Sequence, residues 1–288
     1  MTTHNSSTEM TFIARDGYRL QGREYIAQTD TPKASLIIAN ATGVPQLFYR
    51  RFAEFMSQLG YNVYSFDYRG IGLSAPPSLK GFKMDYLDWG RLDLAAVIDC
   101  IAEKELPIFL VGHSYGGHAL GLLDNWHKLT ASYFFGTGVG WKGYMPYGER
   151  FKVSVVWNIV FPYLAAKHGY VPWSKLNMGA DLPLGVYQQW KKWCKNPEYF
   201  FAAVEGLAEE FAQVRLPIYA ATSIDDEWAM PISRDACMKY YCNADMHLLD
   251  LNPHKYGLKK FGHMGYFRRG SEQVWQEIDQ VFASYLSR

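Results

Sequence analysis

The chain of 288 residues has few cysteines and no run of charge of one sign. Its four cysteines lie far apart, without a CxxC pair or histidines at ligand spacing: Cys100, Cys194, Cys237 and Cys242. This distribution argues against a zinc site and against a disulfide scaffold, and it favours a reducing compartment. The formal net charge is +1, and acidic and basic residues are mixed along the chain. We therefore predict no nucleic-acid partner, because such partners require clustered positive charge.

The sequence also lacks an apolar run long enough to cross a bilayer. The longest, from Val153 to Ala166, is interrupted by Asn158 and Pro162 and falls short of the roughly 20 residues that a spanning helix needs. The start of the chain is polar and has neither the basic residues nor the apolar stretch of a signal peptide. We therefore expect a cytoplasmic protein without a membrane span, with a buried or lid helix at 153–166.

Strand-length apolar runs alternate along the chain with segments of helical period. After a hairpin that turns at Asp16-Gly17, strands are predicted at 34–39, 62–66, 108–111, 132–135 and 218–222, and helices at 49–60, 88–103 and 271–286. A mostly parallel sheet covered by helices on both faces produces this alternation. We predict an α/β fold.

One segment, residues 138–214, departs from the alternation. It contains five of the nine tryptophans, and prolines divide it into short helical stretches. We predict a helical cap inserted between the last strands, with residues 1–137 and 215–288 forming the two parts of the core. Its aromatic side chains favour an apolar substrate, although they also fit a small core within the cap itself.

The motif GHSYGG at residues 112–117 directly follows a predicted buried strand and precedes a helix. GxSxG alone is a weak pattern, but this strand-turn-helix placement is that of a nucleophile elbow. In such a turn the glycines let strand and helix approach closely while the serine backbone is strained. We predict that Ser114 is a nucleophile. The alternative is a serine in an ordinary glycine-rich turn.

A serine nucleophile needs a general base and an acid that orients the base. His263 is the candidate base, because it lies in the glycine-containing loop FGHMGY just before the last helix. The adjacent pair Asp225 and Asp226 follows the predicted strand at 218–222 and offers two candidate acids. The chain order serine, aspartate, histidine is that of hydrolases with a nucleophile elbow. These residues alone leave both aspartates open.

Two motifs together, GHSYGG and DYRGIGLS at residues 67–74, resemble signatures of the α/β-hydrolase superfamily, and the resemblance runs nearly end to end. In members with a paired aspartate the second usually serves as the acid, which favours Asp226 over Asp225. The text GADLPLGVYQQWKKWC at residues 179–194 is similar to that of serine aminopeptidase-like hydrolases. The resemblance implies an α/β-hydrolase fold and a Ser-His-Asp triad that needs no cofactor or metal.

The predicted oxyanion hole departs from the superfamily pattern. Members often carry His-Gly after the first buried parallel strand, whereas this chain has NATG at residues 40–43. By position we assign the two donors to the backbone N–H groups of Thr42 and Tyr115. Ala41 in place of glycine narrows the available backbone conformations, and the loss of one donor would slow such an enzyme by about 100-fold.

The predicted function is hydrolysis of an ester or thioester of a small apolar acyl substrate through an acyl-enzyme. One alternative is an amide-cleaving serine aminopeptidase-like enzyme, which would need an acidic anchor for a free amino terminus. The candidate anchors in the cap are Glu149, Asp181, Glu205 and Glu209. Another alternative is a ligand-binding homologue without catalysis, because fold alone does not establish function. A homodimer is also left open.

Overall fold

The computed structural model describes residues 7–286, which form one eight-stranded sheet flanked by helices. The polar first six residues, on which the signal-peptide expectation partly rests, lie outside the described range. The strands are β1 (Ser7–Ile13), β2 (Arg19–Tyr25), β3 (Ala34–Ala39), β4 (Tyr61–Phe66), β5 (Ile108–His113), β6 (Ala131–Phe135), β7 (Pro217–Ser223) and β8 (Asp245–Leu251). The helices are α1 (Arg50–Gln58), α2 (Ala95–Ala102), α3 (Tyr115–Leu120), α4 (Tyr147–Val155), α5 (Phe161–His168), α6 (Leu184–Trp193), α7 (Leu207–Gln213), α8 (Pro231–Met238) and α9 (Glu272–Leu286).

The strand order across the sheet is β1-β2-β4-β3-β5-β6-β7-β8. The hairpin β1–β2 and its junction with β4 are antiparallel, and every other neighbouring pair is parallel. Side chains alternate between the two faces of a strand. In β3, Leu36 and Ile38 therefore join the core beneath α1 and α9, while Ile37 and Ala39 join the core beneath α2 and α3. The predicted α/β fold is confirmed.

An eighth strand, β8, extends the sheet beyond the strands that were predicted from apolar runs. It is the last strand at the parallel edge and pairs only with β7 in the described sheet. As an edge strand it is partly solvated: its sequence DMHLLDL mixes polar and apolar residues, and its side chains are mostly exposed or half-buried. It therefore lacks the continuous apolar run that marks the central strands.

The segment between β6 and β7, residues 138–214, is called the insertion below, and its regular elements are mainly helices. A π-helical stretch at Val156–Val160 joins α4 to α5. The segment 153–166, expected as a buried or lid helix, is amphipathic: Trp157 and Phe161 are buried, whereas Ile159 and Tyr163 are each 66% exposed. In the described range, no helix has both the length and the apolar character required to cross a membrane.

Candidate active site

Ser114 occupies the turn between β5 and α3 in a backbone conformation that side chains rarely adopt. Its φ is +52° and its ψ is −109°. The end of β6 and the residues after it hold this turn: the Ser114 N–H donates to the Phe135 carbonyl at 2.8 Å, and the Thr137 hydroxyl donates to the Ser114 carbonyl at 2.9 Å. Such strain persists only where surrounding contacts over-determine the conformation.

The glycines of the GHSYGG motif are required by close packing between strand and helix. A Cβ atom at Gly116 would lie 2.0 Å from the Ala39 carbonyl oxygen of β3. A Cβ atom at Gly112 would lie 2.7 Å from the Gly116 carbonyl carbon. Neither distance is possible between real atoms, so this part of the turn excludes any larger residue without movement of the backbone.

His263 faces a buried carboxylate. Its Nδ1 lies 2.9 Å from Oδ2 and 3.1 Å from Oδ1 of Asp226, whose side chain is fully buried. Asp226 also accepts hydrogen bonds from the Tyr266 hydroxyl at 2.8 Å and from the N–H groups of Trp228 and Ala229 at 3.0 Å. Because a carboxylate accepts only, His263 Nδ1 carries the proton and Nε2 is left to act as an acceptor.

The pKa of Asp226 is lowered from its ordinary value. Burial by itself raises it, but the charge of His263 and hydrogen bonds from His263, Tyr266 and Ala229 together outweigh burial. Asp226 is therefore ionised at neutral pH.

The neighbouring aspartate, Asp225, makes different contacts. Its carboxylate accepts from the Ser223 hydroxyl at 2.5 Å and from the N–H groups of Phe261 and Gly262 at 3.1 Å. These two N–H groups immediately precede His263 in the loop. Asp226 therefore contacts the imidazole of His263, whereas Asp225 forms hydrogen bonds with the backbone of the loop that carries His263.

Ser114 and His263 line two cavities together. The larger, here called the tryptophan cavity, has a volume of about 160 Å³. Its other lining residues are Ala41, Thr42, Val44, Trp173, Met178, Trp190, Trp228 and Met264. Within residues 7–286 no hydrogen bond joins the Ser114 hydroxyl to His263. Hydrogen bonds of this kind are often long in a free enzyme and shorten when substrate binds.

The smaller space, here called the His118 cavity, has a volume of about 30 Å³. His118 Nε2 bonds the Gly138 carbonyl at 3.0 Å, so Nε2 carries the proton and Nδ1 is an acceptor that is buried without a partner. Burial lowers the pKa of His118 to about 4, and the ring is neutral at pH 7. His118 is not among the site residues predicted from the sequence. Its place in the cavity wall depends on the packing of α3, which no motif indicates.

The two assigned oxyanion donors differ in their surroundings. The Ala41 N–H is already bonded to the Tyr49 hydroxyl at 2.9 Å. In the described residues the Thr42 N–H donates no hydrogen bond, and Thr42 lines both cavities. Tyr115 begins α3 and lines the His118 cavity. A substrate oxygen beside Ser114 could therefore approach both residues.

The candidate acidic anchors of the insertion are not brought to the two cavities. None of the four lines either cavity in the range 7–286. Glu149 is occupied instead: it accepts a hydrogen bond from Trp228 Nε1 at 3.0 Å, which links α4 to the loop after β7. Asp181 accepts from the Ser174 N–H at 2.9 Å. Among the described residues, these two cavities therefore offer no carboxylate side chain to a substrate amine.

The DYRGIGLS motif stabilises the loops beneath the site rather than lining it. The Asp67 carboxylate accepts from the N–H of Gln46 at 2.7 Å and from that of Leu73 at 2.9 Å. Arg69 is buried between Asp16 and Asp93, at 2.6 and 2.7 Å. Within the described residues no group of three histidine, cysteine or acidic side chains could hold a metal ion.

Comparisons with known proteins agree with this fold. A family model described as serine aminopeptidase, S33, matches residues 30–170. The monoglyceride lipase of Saccharomyces cerevisiae is 28% identical over 118 residues, which are 38% of this chain and 36% of that protein. The monoglyceride lipase homolog of Monkeypox virus is 34% identical over 106 residues, 35% of this chain and 37% of that protein. These alignments therefore span little more than a third of either relative.

A solved structure extends the likeness to the whole fold. The crystal structure of a soluble variant of the Saccharomyces cerevisiae monoglyceride lipase with a substrate analog has a TM-score of 0.68 to this chain. It covers 99% of this chain and 96% of its own, at 16% identity. The chain has the α/β-hydrolase fold, and over residues 30–170 it resembles the serine aminopeptidase S33 family.

Proposed function

We propose that this protein is a serine hydrolase that cleaves an ester or thioester of a small, mainly apolar acyl substrate. The observation that supports this most strongly is the pair of contacts at 2.9 and 3.1 Å between His263 Nδ1 and the buried Asp226 carboxylate. They leave Nε2 as the acceptor of a ring that shares two cavities with Ser114. This is the arrangement that a general base needs.

In the proposed reaction His263 Nε2 removes the proton of Ser114 as Oγ attacks the acyl carbonyl carbon. The N–H groups of Thr42 and Tyr115 stabilise the negative oxygen of the tetrahedral intermediate. The imidazolium, stabilised by ionised Asp226, then protonates the departing alcohol or thiol. Water hydrolyses the acyl-enzyme by the same steps and restores the Ser114 hydroxyl.

The proposed preference for an apolar acyl group is supported by the walls of the tryptophan cavity. Three tryptophans and Met178 line it, and Trp173, Met178 and Trp190 belong to the insertion. We propose on this basis that the insertion acts as a cap. Ester chemistry is also supported by the two relatives, a monoglyceride lipase and a monoglyceride lipase homolog.

The test is hydrolysis of p-nitrophenyl esters of increasing acyl length by the wild type, Ser114→Ala and a control, Ser284→Ala. Ser284 is an exposed serine of α9 whose hydroxyl donates to the Val281 carbonyl. We expect the wild type and the control to be equally active and Ser114→Ala to lose at least 10⁴-fold in kcat. Equal activity in all three proteins would refute the proposed nucleophile.

Amide cleavage is the second function to test, because the matching family model carries the serine aminopeptidase description. Aminoacyl p-nitroanilides would replace the esters in the same assay. We expect them to be turned over poorly, since Glu149 is bonded to Trp228 and no acidic anchor lines the cavities among residues 7–286. Faster turnover of anilides than esters would favour a peptidase, and tight ligand binding without turnover would favour a binding protein.

A further inference from the structure

Three lysines of the insertion, Lys142, Lys191 and Lys195, line a separate cavity of about 50 Å³, here called the lysine pocket. The remaining lining residues are uncharged, and Ser154 and Asn158 supply further polar groups. Among the described residues none of the three lysines forms a salt bridge. Three lysines therefore contribute to one small space, and no carboxylate of the described residues lines it.

The ammonium groups of the lysine pocket retain unused hydrogen-bond donors. Lys142 Nζ donates to the Ser154 hydroxyl at 3.2 Å, and Lys191 Nζ donates to the Tyr187 hydroxyl at 3.3 Å. Each ammonium has three N–H donors, and among the described residues neither group forms a second hydrogen bond. The pKa of Lys191 is lowered by burial and then by the charge of Lys195. These like charges repel, and a bound anion would relieve that repulsion.

The lysine pocket lies next to the cavities at Ser114. Gly140 lines both the lysine pocket and the His118 cavity. A Cβ atom at Gly140 would be 3.0 Å from Cys194 Sγ on one side and 3.0 Å from Tyr199 on the other. Helix α6 also connects the two regions, because Trp190 lines both cavities at Ser114 and Lys191 lines the lysine pocket.

We propose that the lysine pocket binds a small oxyanion, a carboxylate or phosphate group, and that this group is the anionic end of a substrate whose ester bond lies at Ser114. The assignment of this group to a substrate of Ser114 rests on the proposed function, whereas oxyanion binding by the lysine pocket does not. The volume of about 50 Å³ suits one such group, since a single water needs roughly 10–15 Å³ of comparable space. Free phosphate has the same chemistry and serves as the probe.

The first experiment measures binding without any catalysis. Inorganic phosphate is titrated by calorimetry, with chloride at matched ionic strength as the reference, into the wild type, the double variant Lys191→Gln/Lys195→Gln and the control Lys192→Gln. Lys192 lies on the same helix and is exposed. We expect the double variant to bind phosphate at least tenfold more weakly and the control to match the wild type. Equal phosphate binding by all three proteins, or no binding by the wild type, would refute the proposal that the lysine pocket binds an oxyanion.

The second experiment compares two p-nitrophenyl esters of equal acyl length, one ending in a carboxylate and the other in a methyl group. In the double variant we expect kcat/KM to fall at least tenfold for the carboxylate-ended ester, through KM, and to stay within twofold for the other. Phosphate should compete with the carboxylate-ended ester in the wild type.

The outcomes separate the two sources of the anion. Loss of phosphate binding with no change towards either ester would mean that the pocket serves a free oxyanion, and it would overturn the substrate assignment. Failure of the wild type to hydrolyse any ester would refute the proposed function, while the phosphate titration would still decide whether the pocket binds anions.

Discussion

The core loops around Ser114 and the insertion contribute to the candidate site in opposite ways. The core side chains are fixed: Asp226 is fully buried and accepts bonds from four groups, and the Ser114 backbone is held from β6. The insertion supplies cavity walls and keeps exposed apolar side chains, with Phe151 71% exposed. Its lysine pocket has unbalanced charge. We therefore expect the proposed chemistry to depend on the core loops and the choice of substrate to depend on the insertion.

Asp226→Asn should produce the largest effect if the core loops carry the chemistry. An asparagine of the same shape cannot hold His263 in the required tautomer or stabilise its charge, and the expected loss in kcat is about 10⁴-fold. Ester hydrolysis with circular dichroism as a check on folding measures it. A loss smaller than tenfold would remove Asp226 from the proposed triad.

The same variant makes a prediction for stability against pH. The pKa of Asp226 is lowered in the folded protein, so its contribution to the free energy of unfolding is present above the unfolded value of about 3.9. That contribution is lost as pH falls through the lower folded pKa. Urea unfolding at several acidic pH values should therefore show a weaker pH dependence for Asp226→Asn. An identical dependence in both proteins would contradict this account.

Gly116→Ala should destabilise the core, because the new methyl group would lie 2.0 Å from the Ala39 carbonyl oxygen. We expect a loss of about 3 kcal/mol in the free energy of unfolding, at the upper end for overpacking. Gly148→Ala is the matched control: it lies in α4 of the insertion with nothing within 4 Å of the new Cβ. Urea unfolding should show it unchanged or up to about 1 kcal/mol more stable. Equal changes in the free energy of unfolding at Gly116 and Gly148 would contradict the difference in packing between the core and the insertion.

Asp225→Asn should have an intermediate effect. The amide can keep only part of the hydrogen bonding to Ser223, Phe261 and Gly262, so the loop before His263 becomes less well positioned. Ester hydrolysis should fall about tenfold in kcat, in line with the loss of charged hydrogen bonds of 1.5–3 kcal/mol. If Asp225→Asn proves more harmful than Asp226→Asn, the roles of the two aspartates must be exchanged.

Trp190→Leu should have the smallest effect and should fall on substrate choice. The smaller side chain widens the tryptophan cavity, which should move the preferred acyl length upwards and leave kcat for the acetyl ester within about threefold. A chain-length series of p-nitrophenyl esters measures this shift. A uniform loss for every ester would mean that the insertion also positions the catalytic groups.

The central fold could be predicted from the sequence, because buried parallel strands such as β3 and β5 are continuous apolar runs. β8 could not, since an edge strand is partly solvated. Within the site, the GHSYGG motif indicated Ser114, and the glycine loop indicated His263. The choice between Asp225 and Asp226 depends on which carboxylate points at the imidazole, and residue types do not encode that direction.

The lysine pocket and the His118 cavity could not be predicted from the sequence either, because both depend on contacts between distant parts of the chain. Lys142 and Lys191 are far apart in the chain, and only the folding of the insertion brings them together. The role of His118 in the cavity wall depends on the bond that its Nε2 makes to the Gly138 carbonyl, which leaves Nδ1 without a partner among the described residues. Long-range packing of this kind has no periodic signal in the chain.

The hydrogen bond between Trp228 and Glu149 also bears on movement between the insertion and the core. It links α4 directly to the loop that carries Asp226, and a bond to a charged group contributes about 1.5–3 kcal/mol. An energy of that size is small enough to be lost and regained many times in a second. Any movement of α4 away from this loop must break the bond, so Trp228 couples the position of the insertion to the loop that carries Asp226.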